Sequence, residues 1–149
     1  MTTPTFTSAT PRHSLPILFS GQAQKEFIVN EALARLDLLA HPCVIEERPD
    51  PPANPAAGDC YLIASNATAG WAGNDAALAG WDGSQWTIVP PSQGMLIREA
   101  SQALWLIYSG GWQRIAAPAE PDGGSIVDTE ARAAIANILT ALRDFGIFS

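Results

Sequence analysis

The chain has 149 residues, enough for one domain or two small ones and for a hydrophobic core that needs no covalent staples. Hydrophobic residues make up 47% and charged residues only 15%, below the roughly one quarter of an ordinary soluble domain, so an oligomer or an assembly component is expected. Eight basic against fifteen acidic residues give a net charge of −7 with no basic stripe, which argues against nucleic-acid binding by phosphate neutralisation.

Residues 1–20 read as an extended arm, rich in Thr and Ser and broken by Pro4, Pro11 and Pro16. No basic-then-apolar leader is seen in the first ten residues, so no secretory signal is expected. The apolar stretch through Leu15, Ile17 and Phe19 must bury itself, on its own domain or on a neighbouring subunit, which makes these three candidate interface residues.

Residues 22–40 form the clearest helix, with Ala, Leu, Glu and Arg throughout and His41-Pro42 as its stop. Val29, Leu33, Leu36 and Ala40 share one face, widened by Ile28, Ala32 and Leu39. A helix apolar over more than half its circumference is expected to be buried on more than one side, so Val29, Leu33 and Leu36 are assigned to a contact between subunits.

Short strands follow, at 43–46, 60–64, 87–89, 95–97, 104–108 and 112–115, with a proline-rich connector at 49–55. Asp82-Gly83 and Gly110-Gly111 are hairpin-turn dipeptides, and residues 78–88 echo residues 105–115: an aromatic strand, a glycine turn, then Trp entering a second strand. The expectation is two hairpins of one small antiparallel meander. The five tryptophans, Trp71, Trp81, Trp86, Trp105 and Trp112, all fall here. Such rings serve as core, as interface anchors or as stacking platforms for sugars, and the sequence leaves these alternatives open.

Residues 118–124 read as a Pro/Gly linker. A final helix over 129–144 has Asp128 as its cap, Glu130 in its first turn and Gly146 just past its end. Ala131, Ile135, Ile138, Leu142 and Phe145 recur in the 4-3-4-3 spacing of a coiled-coil seam, which assigns Ile135, Ile138, Leu142 and Phe145 to self-association or to gripping a partner. The organisation expected is therefore an α+β fold: an arm (1–20), a helix with an antiparallel β domain (21–117), and a linker with an oligomerisation or partner-binding helix (118–149).

Catalytic chemistry finds no foothold. Cys43 and Cys60 read as two buried structural thiols, and neither has His or Cys at metal-ligand spacing. His13 and His41 lie in the arm and at a helix end. Glu46, Glu47 and Asp50 form a short acidic run, whose strand neighbours point to opposite faces. Phosphate-loop, nucleophile-elbow and dinucleotide motifs are missing, and no apolar run approaches the ~20 residues of a membrane span. No enzyme activity, cofactor or metal is expected.

Ser20-Gly21-Gln22-Ala23-Gln24-Lys25-Glu26, followed by Asn30-Glu31-Ala32-Leu33-Ala34-Arg35-Leu36-Asp37, resembles the DUF2793 family of alphaproteobacterial phages and gene transfer agents. Pro55-x-x-Gly58-Asp59-x-Tyr61-Leu62-Ile63, Gly70-x-Ala72-Gly73 and Ala77-x-Ala79-Gly80-Trp81-x-Gly83 extend the resemblance, which covers roughly residues 15–115. It implies a fibre, spike or host-adhesion component of a tailed-phage-like particle. The short form is similar to a head-spike base of a gene transfer agent. That likeness implies a virion structural protein, made in the bacterial cytoplasm and placed at a capsid vertex. It would be a homo-oligomer, of five copies with three as the alternative, contacting capsid protein. It would hold a separate spike fibre that reaches cell-surface polysaccharide. The resemblance supplies no catalytic residue. A carbohydrate-binding module built on the tryptophans is the alternative function.

Overall fold

The computed structural model describes residues 9–18, 21, 25–124 and 127–148, so Phe19 and the first eight residues of the arm lie outside the described residues. The fold is α+β: helix α1 (Lys25–Leu39), eight short strands and helix α2 (Thr129–Asp144). The strands are β1 (Cys43–Val44), β2 (Glu47–Arg48), β3 (Cys60–Ile63), β4 (Leu78–Trp81), β5 (Trp86–Val89), β6 (Leu96–Glu99), β7 (Leu104–Tyr108) and β8 (Trp112–Gln113).

The expected single meander is in fact two four-stranded sheets, ordered β1-β6-β7-β8 and β2-β3-β4-β5. Each echo hairpin belongs to its own sheet: Trp81 faces Trp86 across β4–β5, and Tyr108 faces Trp112 across β7–β8. Both sheets repeat one plan, three consecutive antiparallel strands plus a two-residue parallel strand. The parallel strands come from a single extended segment that switches sheets. Cys43 and Val44 pair with Arg98 and Glu99, and Glu47 and Arg48 with Leu62 and Ile63. Between them Ile45 donates to the Cys60 carbonyl at 2.8 Å, and the Glu46 carbonyl accepts from Leu62 at 3.0 Å.

Strand alternation sets the layers. Val44, Cys60, Leu62, Leu78, Val89, Ile97, Leu104 and Leu106 form the core, closed by Leu38 from α1. The opposite side of the second sheet carries another cluster, Tyr61, Ile63, Trp71, Ala77 and Ala79, with Ala67, Trp86 and Ile88 packed on it. All four residues of β3 are thus buried. Cys43 departs from the expectation of two buried thiols: Val44 takes the inward position, so its neighbour points out to solvent.

Helix α1 meets the core through Leu38 rather than through the Val29–Leu36 face. Gly80 makes that approach possible, because a Cβ there would lie 2.9 Å from Leu38 Cδ1. Among the described residues only Asp37 and Leu38 of α1 are buried, whereas Ile28, Val29 and Leu36 are exposed and Leu33 is half-buried. Among the described residues, then, the face of the helix that carries Ile28, Val29 and Leu36 is left uncovered.

Candidate functional site

The arm is held by polar groups that the apolar reading of Leu15–Phe19 did not find. Asp37, 3% exposed, accepts from Thr10 Oγ1 (2.7 Å), the Arg12 amide (3.0 Å) and the His13 amide (2.7 Å), with His13 Nδ1 at 3.1 Å. Burial raises the Asp37 pKa, but these hydrogen bonds outweigh it and leave the carboxyl below its ordinary range. In return, the Arg12 guanidinium donates to the carbonyls of Leu38 (2.9 Å) and His41 (2.6 Å). Helix α1 has no basic residue in its last turn, so the arm provides the cation that its negative end favours. Farther along, Asn30 brackets Leu18, accepting its N–H at 2.8 Å and donating to its carbonyl at 2.9 Å. Leu15 and Ile17 are half-buried beside these anchors.

The tryptophans divide by environment. Trp71, in a 3-10 turn at Ala69–Trp71, is fully enclosed. Its ring lies 5.1 Å from that of Trp86 at 79° and 5.9 Å from that of Tyr61, and Trp86 in turn contacts Trp81 at 5.0 Å. Among the described residues its Nε1–H meets no hydrogen-bond acceptor. The loop that carries it holds Asn66, Ala69 and Ala76 at φ of 61°, 51° and 65°, a costly backbone for residues with a Cβ. The Asp75 carboxylate fastens that loop to the Asn66 and Ala67 amides at 3.1 and 3.0 Å.

Trp112 staples the sheets together: its Nε1 donates to the Ala76 carbonyl at 2.8 Å. Two residues on, on the same face, Arg114 donates to Glu99 Oε2 at 2.9 Å and to Glu47 Oε2 at 2.8 Å. Glu99 is 1% exposed, so a buried carboxylate of the first sheet is joined through one guanidinium to a carboxylate of the second. Its hydrogen bond to Glu99 heads the influences that raise the Arg114 pKa. A hollow of about 490 Å³ opens over this triad, lined also by Glu46, Ser101 and Gln102. Among the described residues no group of three or more His, Cys, Asp or Glu is arranged to hold a metal ion.

Besides the outward residues of α1, two apolar surfaces are open among the described residues. The outer face of the first sheet exposes Leu96 and Ile107, paired across β6–β7, beside Trp105, whose ring lies 5.6 Å from the Arg98 guanidinium carbon. The second surface is α2. Asp128 caps it by accepting from the Ala131 amide at 2.8 Å, as its sequence foretells. Leu139 is the one residue inside the helix that is buried. The seam faces solvent instead: Ile135, Ile138 and Phe145 are 42%, 57% and 70% exposed, and Leu142 is half-buried.

The family model described as "Protein of unknown function (DUF2793)" matches residues 29–113. The chain belongs to the DUF2793 family. No curated protein matches it, and no solved structure does. The DUF2793 match spans most of α1, both sheets and the Trp71 loop, and it leaves the linker and α2 outside. Among the described residues no helix is long and apolar enough to cross a membrane.

Proposed function

We propose that this DUF2793 chain is a non-enzymatic structural adaptor of a phage-like particle: a spike base or fibre anchor that joins a capsid vertex to a receptor-binding fibre. The particle context rests on the resemblance carried by the Ser20–Glu26 and Asn30–Asp37 motifs. The observation that carries the adaptor role is α2. A helix with a coiled-coil seam exposes three of its largest apolar residues, Ile135, Ile138 and Phe145, and soluble monomers seldom leave contiguous apolar surface open. The outward Ile28, Val29 and Leu36 of α1 add a second such strip. Self-association covers both, in a closed ring of five copies at a vertex or of three on a fibre axis.

Sedimentation velocity on the full chain and on Ile138→Asp tests this reading. The parent sediments as one closed oligomer at micromolar concentration. The variant, with a charge placed in the seam, sediments as a monomer with unchanged β-sheet circular dichroism. A monomeric parent contradicts the reading, and so does a variant that loses its sheet.

Trp105 favours a second reading, a carbohydrate-binding module, because it offers an exposed ring beside the donors of Arg98. Co-sedimentation of the isolated chain with capsular polysaccharide, lost in Trp105→Ala, would select that module over the adaptor.

A further inference from the structure

The loop between β3 and β4 is a lobe plugged by one side chain: of residues 65–76 only Trp71 is buried. Most of the loop's hydrogen bonds are its own. The Trp71 amide donates to the Thr68 carbonyl at 3.1 Å, the Asn74 amide donates to the Trp71 carbonyl at 3.0 Å, and Asp75 ties back to Asn66 and Ala67. Among the described residues, two hydrogen bonds fasten residues 65–76 to parts of the molecule beyond β3 and β4. The Thr68 amide donates to the Pro49 carbonyl at 2.9 Å, and the Ala76 carbonyl accepts from Trp112 Nε1.

The seated loop carries two burdens. Among the described residues five that bear a Cβ hold a positive φ, and Asn66, Ala69 and Ala76 of this loop are three of them. Asparagine enters that region readily, whereas alanine has no polar group to offset the clash of its Cβ. The second burden is the enclosed indole donor of Trp71, which finds no acceptor. Release removes both, because a loop freed from the cage can return to negative φ and the indole N–H can reach water. The way out is open: Gly70 and Gly73 flank Trp71, and a Cβ on either would meet nothing within 4 Å.

We propose that residues 65–76 are a latch that opens as a unit while both sheets stay folded, withdrawing Trp71 from the Tyr61–Trp86 cage and parting Trp112 from Ala76. Burial of the indole holds the latch shut, so the open form is the minor one. Ala76 couples the latch to the rest of the fold. It sits on strained backbone, and it takes the bond by which Trp112 staples the first sheet to the second. Opening therefore loosens the joint between the sheets and leaves the Arg114 triad in place. A partner that grips the open loop, or one that presses it shut, sets the stiffness of that joint by shifting this equilibrium. The latch does not depend on self-association.

Native-state hydrogen exchange on the full chain, read residue by residue by NMR, tests it. The Trp71 and Asn74 amides and the Trp71 indole exchange through one common opening that small additions of urea accelerate only weakly. That opening occurs at least roughly tenfold more often than the one that exposes the Leu62 amide of β3. Ala69→Gly and Ala76→Gly relieve the left-handed backbone, and each makes the opening about fivefold rarer. Trp112→Phe, which lacks the donor of the staple, makes it more frequent. The latch is overturned if the loop and Leu62 exchange through the same event with the same urea dependence, or if both glycine variants leave the loop's exchange unchanged. An unchanged opening in Trp112→Phe overturns its coupling to the first sheet.

Discussion

Removing Arg114 from the inter-sheet triad gives the sharpest energetic test of the fold. Glu99 is 1% exposed, and its hydrogen-bonded partner is this guanidinium, at 2.9 Å. Breaking a buried ion pair from one side costs about 3–5 kcal/mol, because the remaining charge is left in a poor solvent. The Arg114 side chain is itself 29% exposed and borders the 490 Å³ hollow, so water can reach part of the vacated space. The expected loss for Arg114→Met is therefore about 2–3 kcal/mol. With a urea slope of about 2 kcal/mol per molar, the unfolding midpoint falls by about 1–1.5 M. Replacing Glu99 by Met as well removes the orphaned charge, and the double variant recovers more than half of that loss. The reasoning is refuted if Arg114→Met unfolds within about 0.5 kcal/mol of the parent, or if the double variant is no more stable than the single one.

Further outcomes follow from other contacts. The Gly146 carbonyl accepts from the Trp105 amide at 2.8 Å, and Gly146→Ala meets the Arg98 guanidinium and the Ala103 carbonyl, so hydrogen exchange at Trp105 and across α2 rises while β3 and β4 remain protected; unchanged exchange at Trp105 contradicts this seat. Docking of the arm depends on ionised Asp37, whose pKa in the fold lies below the ordinary 3.8. Its contribution is present above that ordinary value and is lost as the pH falls through the lower folded one, so amide protection of residues 10–15 persists at pH 5 and disappears on further acidification. Trp71→Ala opens a void the size of an indole under a strained loop and costs about 3–5 kcal/mol by chemical denaturation; a loss under 1 kcal/mol would mean that the enclosure of Trp71 does not hold the loop.

The parts of this fold that are local in sequence could be read from it. Asp128, Glu130 and Gly146 punctuate α2 correctly because capping is a matter of a few consecutive residues. The Asp82-Gly83 and Gly110-Gly111 turns mark hairpins for the same reason. The division into two sheets was hidden, since it depends on residues 43–48 pairing with β3 and with β6, whose residues lie 55 positions beyond their β1 partners. Leu38 was passed over because the helix is apolar over more than half its circumference, and only the gap at Gly80 selects the face that packs. Asp37 gave no signal of its own, its partners being 24 to 27 residues away in an arm whose only assigned contact was the apolar Leu15–Phe19 stretch. One clue to the triad was present: strand alternation places Glu99 on the same face as Ile97, an acidic residue turned toward the core and in need of a cation.

The adaptor role is tested most directly on the particle itself. Cryo-electron microscopy of phage-like particles from cells that encode this chain, compared with particles from a strain lacking it, reads the claim in one reconstruction. The account predicts a ring of this chain at the capsid vertices, with the α2 helices clustered about the axis or around the foot of a fibre, and bare vertices in the deletion strain. Particles that keep complete spikes without this chain would contradict it.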